Sequence, residues 1–334
     1  MSRTLRIFSS PRPTTVETIQ KTFQNRLLLQ GVPKLDVRAV GLLAKAQQLY
    51  GAEIHGFVML GNHWHLCATF RDPEQMARLH RFFVGNLAKE VNALRDDWAG
   101  TVFPERYRHV ELSEEPEVQL GRMKYLLSQG CKEGLVSSPL DWPGASSVES
   151  LVGDAPLRGE WVDRTAFRRA RERGESVTEA DFTEILEVSL SPVPSLAHLS
   201  MSQYRDEMRG LVRQIEQETQ AMHRLQGTRP LGVEKLRRME EPGPRASEER
   251  RPRPWFHAVD PAVRQGMRTA LIYIAAAYRD AAGRLRGGDR SARFPVHTFP
   301  PGLPFVRWDG EGSTLKDPTN GLAPPGTAGF SGAG

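Results

Sequence analysis

Two histidines two positions apart, His63 and His65, and a tyrosine and glutamine four apart, Tyr125 and Gln129, are the residues whose types and spacing suit shared chemistry. On a strand, positions i and i+2 point to the same side. Both imidazoles would then face one metal ion while Trp64 turns into the core. On a helix, positions i and i+4 share a face, so Tyr125 and Gln129 would be offered together with Arg122 and Val118. Leu120, Met123 and Leu127 would be left for packing. Each signal alone has a plainer reading. Nine histidines allow an incidental His-x-His, and a helical tyrosine commonly packs by its ring with its hydroxyl in water.

Taken together, these segments carry a family resemblance. Gly61-Asn62-His63-Trp64-His65-Leu66 resembles the Asn-His-hydrophobe-His-Leu signature of the HUH-type single-tyrosine transposases, most closely the REP-associated tyrosine transposases. Tyr125 to Val136, YLLSQGCKEGLV, is similar to that family's Tyr-Ile-x-x-Asn-Pro-Val-Arg-Ala-Gly-Leu-Val segment. Asp141-Trp142-Pro143 fits the Asp/Glu-Trp-Pro that follows it, and Phe103 to Tyr107 resembles its aromatic-x-x-Arg-Tyr strand. The resemblance covers roughly residues 18–145.

The resemblance implies that His63 and His65 bind a divalent cation, Mg²⁺ or Mn²⁺, with Gln129 as third ligand, and that Tyr125 is the nucleophile on a DNA phosphate. It implies a single-stranded DNA substrate with a hairpin, a covalent 5′-phosphotyrosine, strand transfer to a new 3′-hydroxyl, a homodimer, and a bacterial, nucleoid-associated setting. Two departures stand out. Gly61 replaces a proline, and Gln129-Gly130 replaces Asn-Pro. The glutamine keeps the amide oxygen and adds a methylene. The glycine should loosen the helix end.

These residue types suit that reaction. A phenol with its ordinary pKa of about 10 is a poor nucleophile at neutral pH, and a cation held by imidazoles and an amide oxygen neutralises charge at the phosphate. Candidate contacts to the strand are Arg26, Arg106, Arg108, Arg122, Lys124 and Lys132; each is equally readable as solvated surface charge. Trp98, Phe103 and Tyr107 could stack on bases or fill the core. Tyr107 competes for the nucleophile role but has no amide partner on its face. Cys67 and His55 read as core residues near the site.

The elements that must position these groups follow from local patterns. Thr18 to Gly31 reads as a strand, Asp36 to Tyr50 as a helix, and Glu53–Leu60 and Trp64–Phe70 as a hairpin around Gly61-Asn62. Asp72-Pro73 opens a long helix. Phe103 to Leu112 reads as a strand, and Ser113 to Gln129 as a helix closed by Gly130. The strand-helix-strand-strand-helix-strand-helix order points to an α+β, ferredoxin-like domain, with an antiparallel sheet and helices on one face, over residues 1–145. Residues 146–308 read as a mainly helical accessory region. Helices are expected at 196–226 and 260–285, with a flexible Pro/Arg-rich segment near 226–256, and 309–334 read as a disordered tail.

Composition narrows the classes. Among 334 residues, 45 Lys+Arg face 40 Asp+Glu, a net +5. The first 70 residues carry eight of these cations against three acids, which is the same excess. Two cysteines exclude a disulfide scaffold and a four-cysteine zinc site. No run approaches the roughly 18 apolar residues of a membrane span, and the first residues lack a signal-peptide core, so the expected setting is cytoplasmic. Two further readings remain. The same fold could bind single-stranded or hairpin DNA without cutting it, as a domesticated regulator; Gln129-Gly130 and the long C-terminal half motivate this. A zinc hydrolase built on His-x-His would need a further ligand cluster that the sequence does not offer.

Overall fold

The computed structural model describes residues 5–238, 255–300 and 307–308. Most of the Pro/Arg-rich segment and the 309–334 tail lie outside the described residues. The first part of the chain runs β1 (Thr14–Lys21), α1 (Pro33–Tyr50), β2 (Glu53–Met59), β3 (His63–Phe70), α2 (Pro73–Leu94), β4 (Arg108–Leu112) and α3 (Pro116–Leu127), in the expected order. The strands lie side by side as β2-β3-β1-β4, each neighbour antiparallel. This is an α+β sheet with the ferredoxin-like strand order.

Local signals explain the helix ends. Pro33 sits in the first turn of α1, and Gly51 closes it with φ of 70°. The Asp72 carboxylate accepts from the Gln75 amide at 2.7 Å, capping α2 ahead of Pro73. Several boundaries differ from the sequence expectation, with α1 starting at Pro33 rather than Asp36 and α3 ending at Leu127 rather than Gln129. β1 starts at Thr14 and stops at Lys21, because Thr14–Val16 pair with Ala68–Phe70 far along the chain. The following residues 23–25 turn, with Gln24 and Asn25 at positive φ. β4 starts at Arg108 rather than Phe103, since Tyr107 is drawn into the core against His80 at 4.0 Å between ring centroids.

Period-2 alternation in β3 divides two cores. Trp64, Leu66, Ala68 and Phe70 pack with Leu43 of α1 and Phe83 and Leu87 of α2. Cys67 faces the other way, joined by Val58 and Leu112. The expected helical layer on one face is α1 and α2. Because Val58, Cys67 and Leu112 make the second face apolar too, α3 covers it.

The chain continues through α4 (Gln129–Lys132), α5 (Val148–Val152), β5 (Leu157–Val162), α6 (Arg164–Glu172), β6 (Thr183–Val188), α7 (Met201–Gln226) and α8 (Val233–Arg237). After these come β7 (Phe256–His257), α9 (Pro261–Arg286), β8 (Arg293–Phe294) and β9 (Arg307–Trp308). Residues 148–236 complete the two cores. Leu157 and Val188 join the α1 side, while Tyr204, Met208, Val212 and Ile215 of α7 pack behind α3. The β5–β6 hairpin crosses α1 where two glycines meet: a Cβ on Gly41 would lie 2.2 Å from the Glu160 carbonyl carbon. Arg38 and Arg164 reach Glu179 beside this crossing. β7 adds a parallel strand beside β4, which makes the sheet five-stranded. α9, capped by Asp260 as its Asp-Pro start suggests, packs Leu271, Ile274 and Ala275 against Ile7. Among the described residues, no helix is long and apolar enough to cross a membrane.

Candidate active site

His63 and His65 lie at the start of β3 and share a side of the sheet, with ring centroids 5.0 Å apart. Trp64 between them is fully buried on the other side, stacked on His80 at 5.7 Å. Each imidazole is fixed through Nδ1. His63 Nδ1 meets the Asn62 side-chain oxygen at 2.6 Å, and His65 Nδ1 meets Glu17 Oε1 at 2.8 Å. A carboxylate oxygen only accepts, so His65 donates from Nδ1, and Nε2 is the nitrogen through which it would reach a cation.

α3 brings Tyr125 over this pair. Its ring lies edge-on to His65, 5.8 Å between centroids. Two cations flank the ring: Arg122 Cζ at 4.2 Å and Lys132 Nζ at 4.6 Å from its centroid. Arg122 also donates to the second oxygen of Glu17. Burial lowers the Arg122 pKa, and the Tyr125 charge works the other way. Gln129 is buried, and its Nε2 donates to the backbone carbonyl of Tyr125 at 2.7 Å, a contact with the helix backbone rather than with the tyrosine ring.

Gly130 does not end the helix loosely. The chain runs on as α4, and Trp142 covers Gly130 so closely that a Cβ there would lie 2.8 Å from the indole. The Trp142 Nε1 in turn donates to the Met59 carbonyl at 2.9 Å. The Asp-Trp-Pro turn therefore pins the end of the tyrosine helix to β2.

The basic residues separate into groups. In register, Ile19 lies opposite both His65 and Arg108, so Arg108 belongs to the imidazole face; it pairs with Glu105 at 3.5 Å. Lys124 is engaged by Glu218 of α7 at 2.6 Å. Arg26 lies over the Trp98 ring at 5.1 Å. Arg106 is exposed in the loop before β4.

Other candidates belong to the fold. Tyr107 is buried in the α1/α2 core, on the side away from the imidazole pair, and burial raises its pKa to about 12. Burial likewise raises Cys67 to about 12 and lowers His55 to about 4. His55 is held by the Ser191 carbonyl and the Thr69 hydroxyl at 3.0 and 2.8 Å.

Three residues escaped the sequence reading. Glu17 is 1% exposed and sits between His65 and Arg122. Lys21 lies directly across from His63. His257 of β7 is half-buried, its pKa lowered by burial and then by the Arg122 charge. Alternation along β1 could have flagged Glu17 as lying on one side with Lys21.

Among the described residues, no three His, Cys, Asp or Glu side chains converge as a metal site. A cation held by the two imidazoles with the Gln129 amide oxygen would meet a mixed N/O donor set without thiolate, in which imidazole suits Zn²⁺ and the oxygen suits Mg²⁺ or Mn²⁺. With both Nδ1 atoms engaged, Nε2 is the nitrogen through which either imidazole would reach a cation, while the Gln129 amide is hydrogen-bonded to the Tyr125 carbonyl.

No family model matches the chain, and no curated protein matches it. Several solved structures are similar in part. A REP-associated tyrosine transposase bound to a REP hairpin matches at 17% identity, over 46% of this chain and 86% of its own, with a TM-score of 0.36. A protein from Deinococcus radiodurans R1, named as a candidate transposase, matches at 13% identity over 35% and 91%, with a TM-score of 0.27.

Proposed function

We propose that this chain cleaves single-stranded DNA through a covalent 5′-phosphotyrosine at Tyr125 and transfers the held strand to a new end, as a transposase of the HUH single-tyrosine type. The observation that carries the reading is the facing of Tyr125 and His65. The phenol on α3 meets one imidazole of the pair on β3, and Arg122 and Lys132 flank the phenol ring.

In this reading a divalent cation, Mg²⁺ or Mn²⁺, held by His63, His65 and Gln129, supplies charge neutralisation at the scissile phosphate. Arg122, Lys132, Lys21 and Arg108 hold the phosphate backbone on the imidazole face. The Tyr125 oxygen attacks phosphorus, the bond from phosphorus to the 3′ oxygen breaks, and that oxygen leaves as a 3′-hydroxyl after taking a proton. The phosphotyrosine keeps the phosphodiester's bond energy, so attack by another 3′-hydroxyl joins new ends without a nucleotide cofactor. A hairpin beside the cut site is the expected recognition element. The homodimer implied by the sequence resemblance belongs to the same reading.

The test is capture of a labelled single-stranded hairpin DNA in an SDS-resistant adduct in the presence of Mn²⁺. Tyr125→Phe should bind the DNA and give no adduct. A non-cleaving DNA binder would give binding without adduct in the wild type as well.

A further inference from the structure

Glu17 is a carboxylate almost wholly removed from water in the middle of the sheet. Such burial is costly unless the charge is paired and hydrogen-bonded, and here both oxygens are used. In register it lies across from Cys67 and Val110, on the same side of the sheet as the imidazole pair. One oxygen accepts from His65 Nδ1 at 2.8 Å; the other accepts from Arg122. Arg122 in turn lies over the Tyr125 ring at 4.2 Å. A single carboxylate therefore touches the strand that carries the imidazoles and the helix that carries the tyrosine.

We infer that Glu17 is the positioning residue of this site: it fixes the ring orientation and tautomer of His65 and, through Arg122, holds Tyr125 over the imidazole pair. This rests on the reading of His63 and His65 as a metal-binding pair. Both oxygens of Glu17 are engaged, one by His65 Nδ1 and one by Arg122, so its role is assigned through His65 rather than as a ligand. A carboxylate on the outer nitrogen raises the basicity of a ligating imidazole, and losing such a partner typically weakens metal binding about 10–100-fold. Lys124–Glu218 offers an internal control. It also ties α3 to a neighbouring element, but its glutamate is 58% exposed and it touches neither imidazole nor tyrosine.

The experiment is Mn²⁺ titration of the full chain, followed by the EPR signal of free ion, for wild type, Glu17→Gln, Glu218→Gln and His63→Ala. Nitrogen NMR of the His65 imidazole is recorded on the metal-free protein. Glu17→Gln is expected to weaken Mn²⁺ about 10–100-fold and to lose the single Nδ1–H tautomer of His65, while Glu218→Gln binds as wild type does. Should Glu17→Gln not fold, Glu17→Asp, which keeps the charge but is one methylene too short for both partners, should show the same losses in smaller degree. Wild-type affinity in the Glu17 variants, with binding lost in His63→Ala, would overturn the role of Glu17 and leave the metal pair standing. Equal Mn²⁺ affinity in wild type and His63→Ala would overturn the metal reading and this inference with it.

Discussion

Tyr125 and His65 face each other edge to face across the gap between α3 and the sheet, ring centroids 5.8 Å apart. The relationship is held from two sides. Glu17 and Arg122 join the sheet to the helix, and Trp142 closes over Gly130 at the helix end.

Tyrosine identity separates catalysis from packing. Tyr107→Phe should leave adduct formation near wild type, because that ring is buried against His80 on the far side of the sheet. Tyr125→Phe should reduce it to background with binding intact. Gel assays of covalent capture beside filter-binding assays check both. Loss of capture in Tyr107→Phe with a normal melting curve would place the nucleophile elsewhere.

Salt dependence reports which cations meet the strand. Each phosphate contact on single-stranded DNA contributes about 0.7 to the slope of log affinity against log salt. Lys21→Ala and Arg108→Ala should each lower the slope by about that amount, since both residues lie on the imidazole face. Lys124→Ala should change it little, because Lys124 turns to Glu218 of α7 rather than to the imidazole face.

Two glycines on helices should respond oppositely to alanine. A methyl at Gly41 would press on the backbone of Glu160, so Gly41→Ala should destabilise by about 1–3 kcal/mol, the usual cost of overpacking. Gly121 in the tyrosine helix has nothing within 4 Å of the added carbon, so Gly121→Ala should stabilise by about 0.5–1 kcal/mol through helix propensity. Chemical denaturation measures both.

The pH dependence of stability should have opposing limbs. Burial lowers His55 and His109 to about 4 and His80 to about 3. Unfolded, each takes a proton near 6.5, so protons favour the unfolded chain and stability falls as pH drops from about 6.5 towards 4. Burial instead raises Glu111 to about 7, despite three hydrogen bonds from Ser9. Folded, it keeps its proton where the unfolded chain has lost it, so its contribution is present at low pH and is lost as pH rises through about 7. Melting temperature against pH should show the acid limb in wild type. Glu111→Gln should gain on wild type above pH 7, and equal alkaline behaviour of the two would contradict the assignment.

Short-range patterns made much of this fold legible. The period of β3 gave the shared side of His63 and His65 and the burial of Trp64, and the capping residues Asp72 and Asp260 marked two helix starts. What stayed hidden depends on distant pairing. Thr14–Val16 become strand only through Ala68–Phe70, and the β5–β6 hairpin is placed by the Gly41–Gly159 crossing. Glu17 was missed for the same reason: a glutamate on an alternating strand looks like a solvated charge until Arg122, more than a hundred residues on, closes over it.

In the proposed reaction Tyr125 forms the covalent bond to DNA. Peptide mapping by mass spectrometry of the protein after reaction with a single-stranded hairpin and Mn²⁺ tests it most directly. The expected result is a nucleotide on Tyr125 joined through its 5′-phosphate, with a free 3′-hydroxyl on the released strand. A nucleotide on another residue, or cleaved DNA with no protein attached, would contradict it.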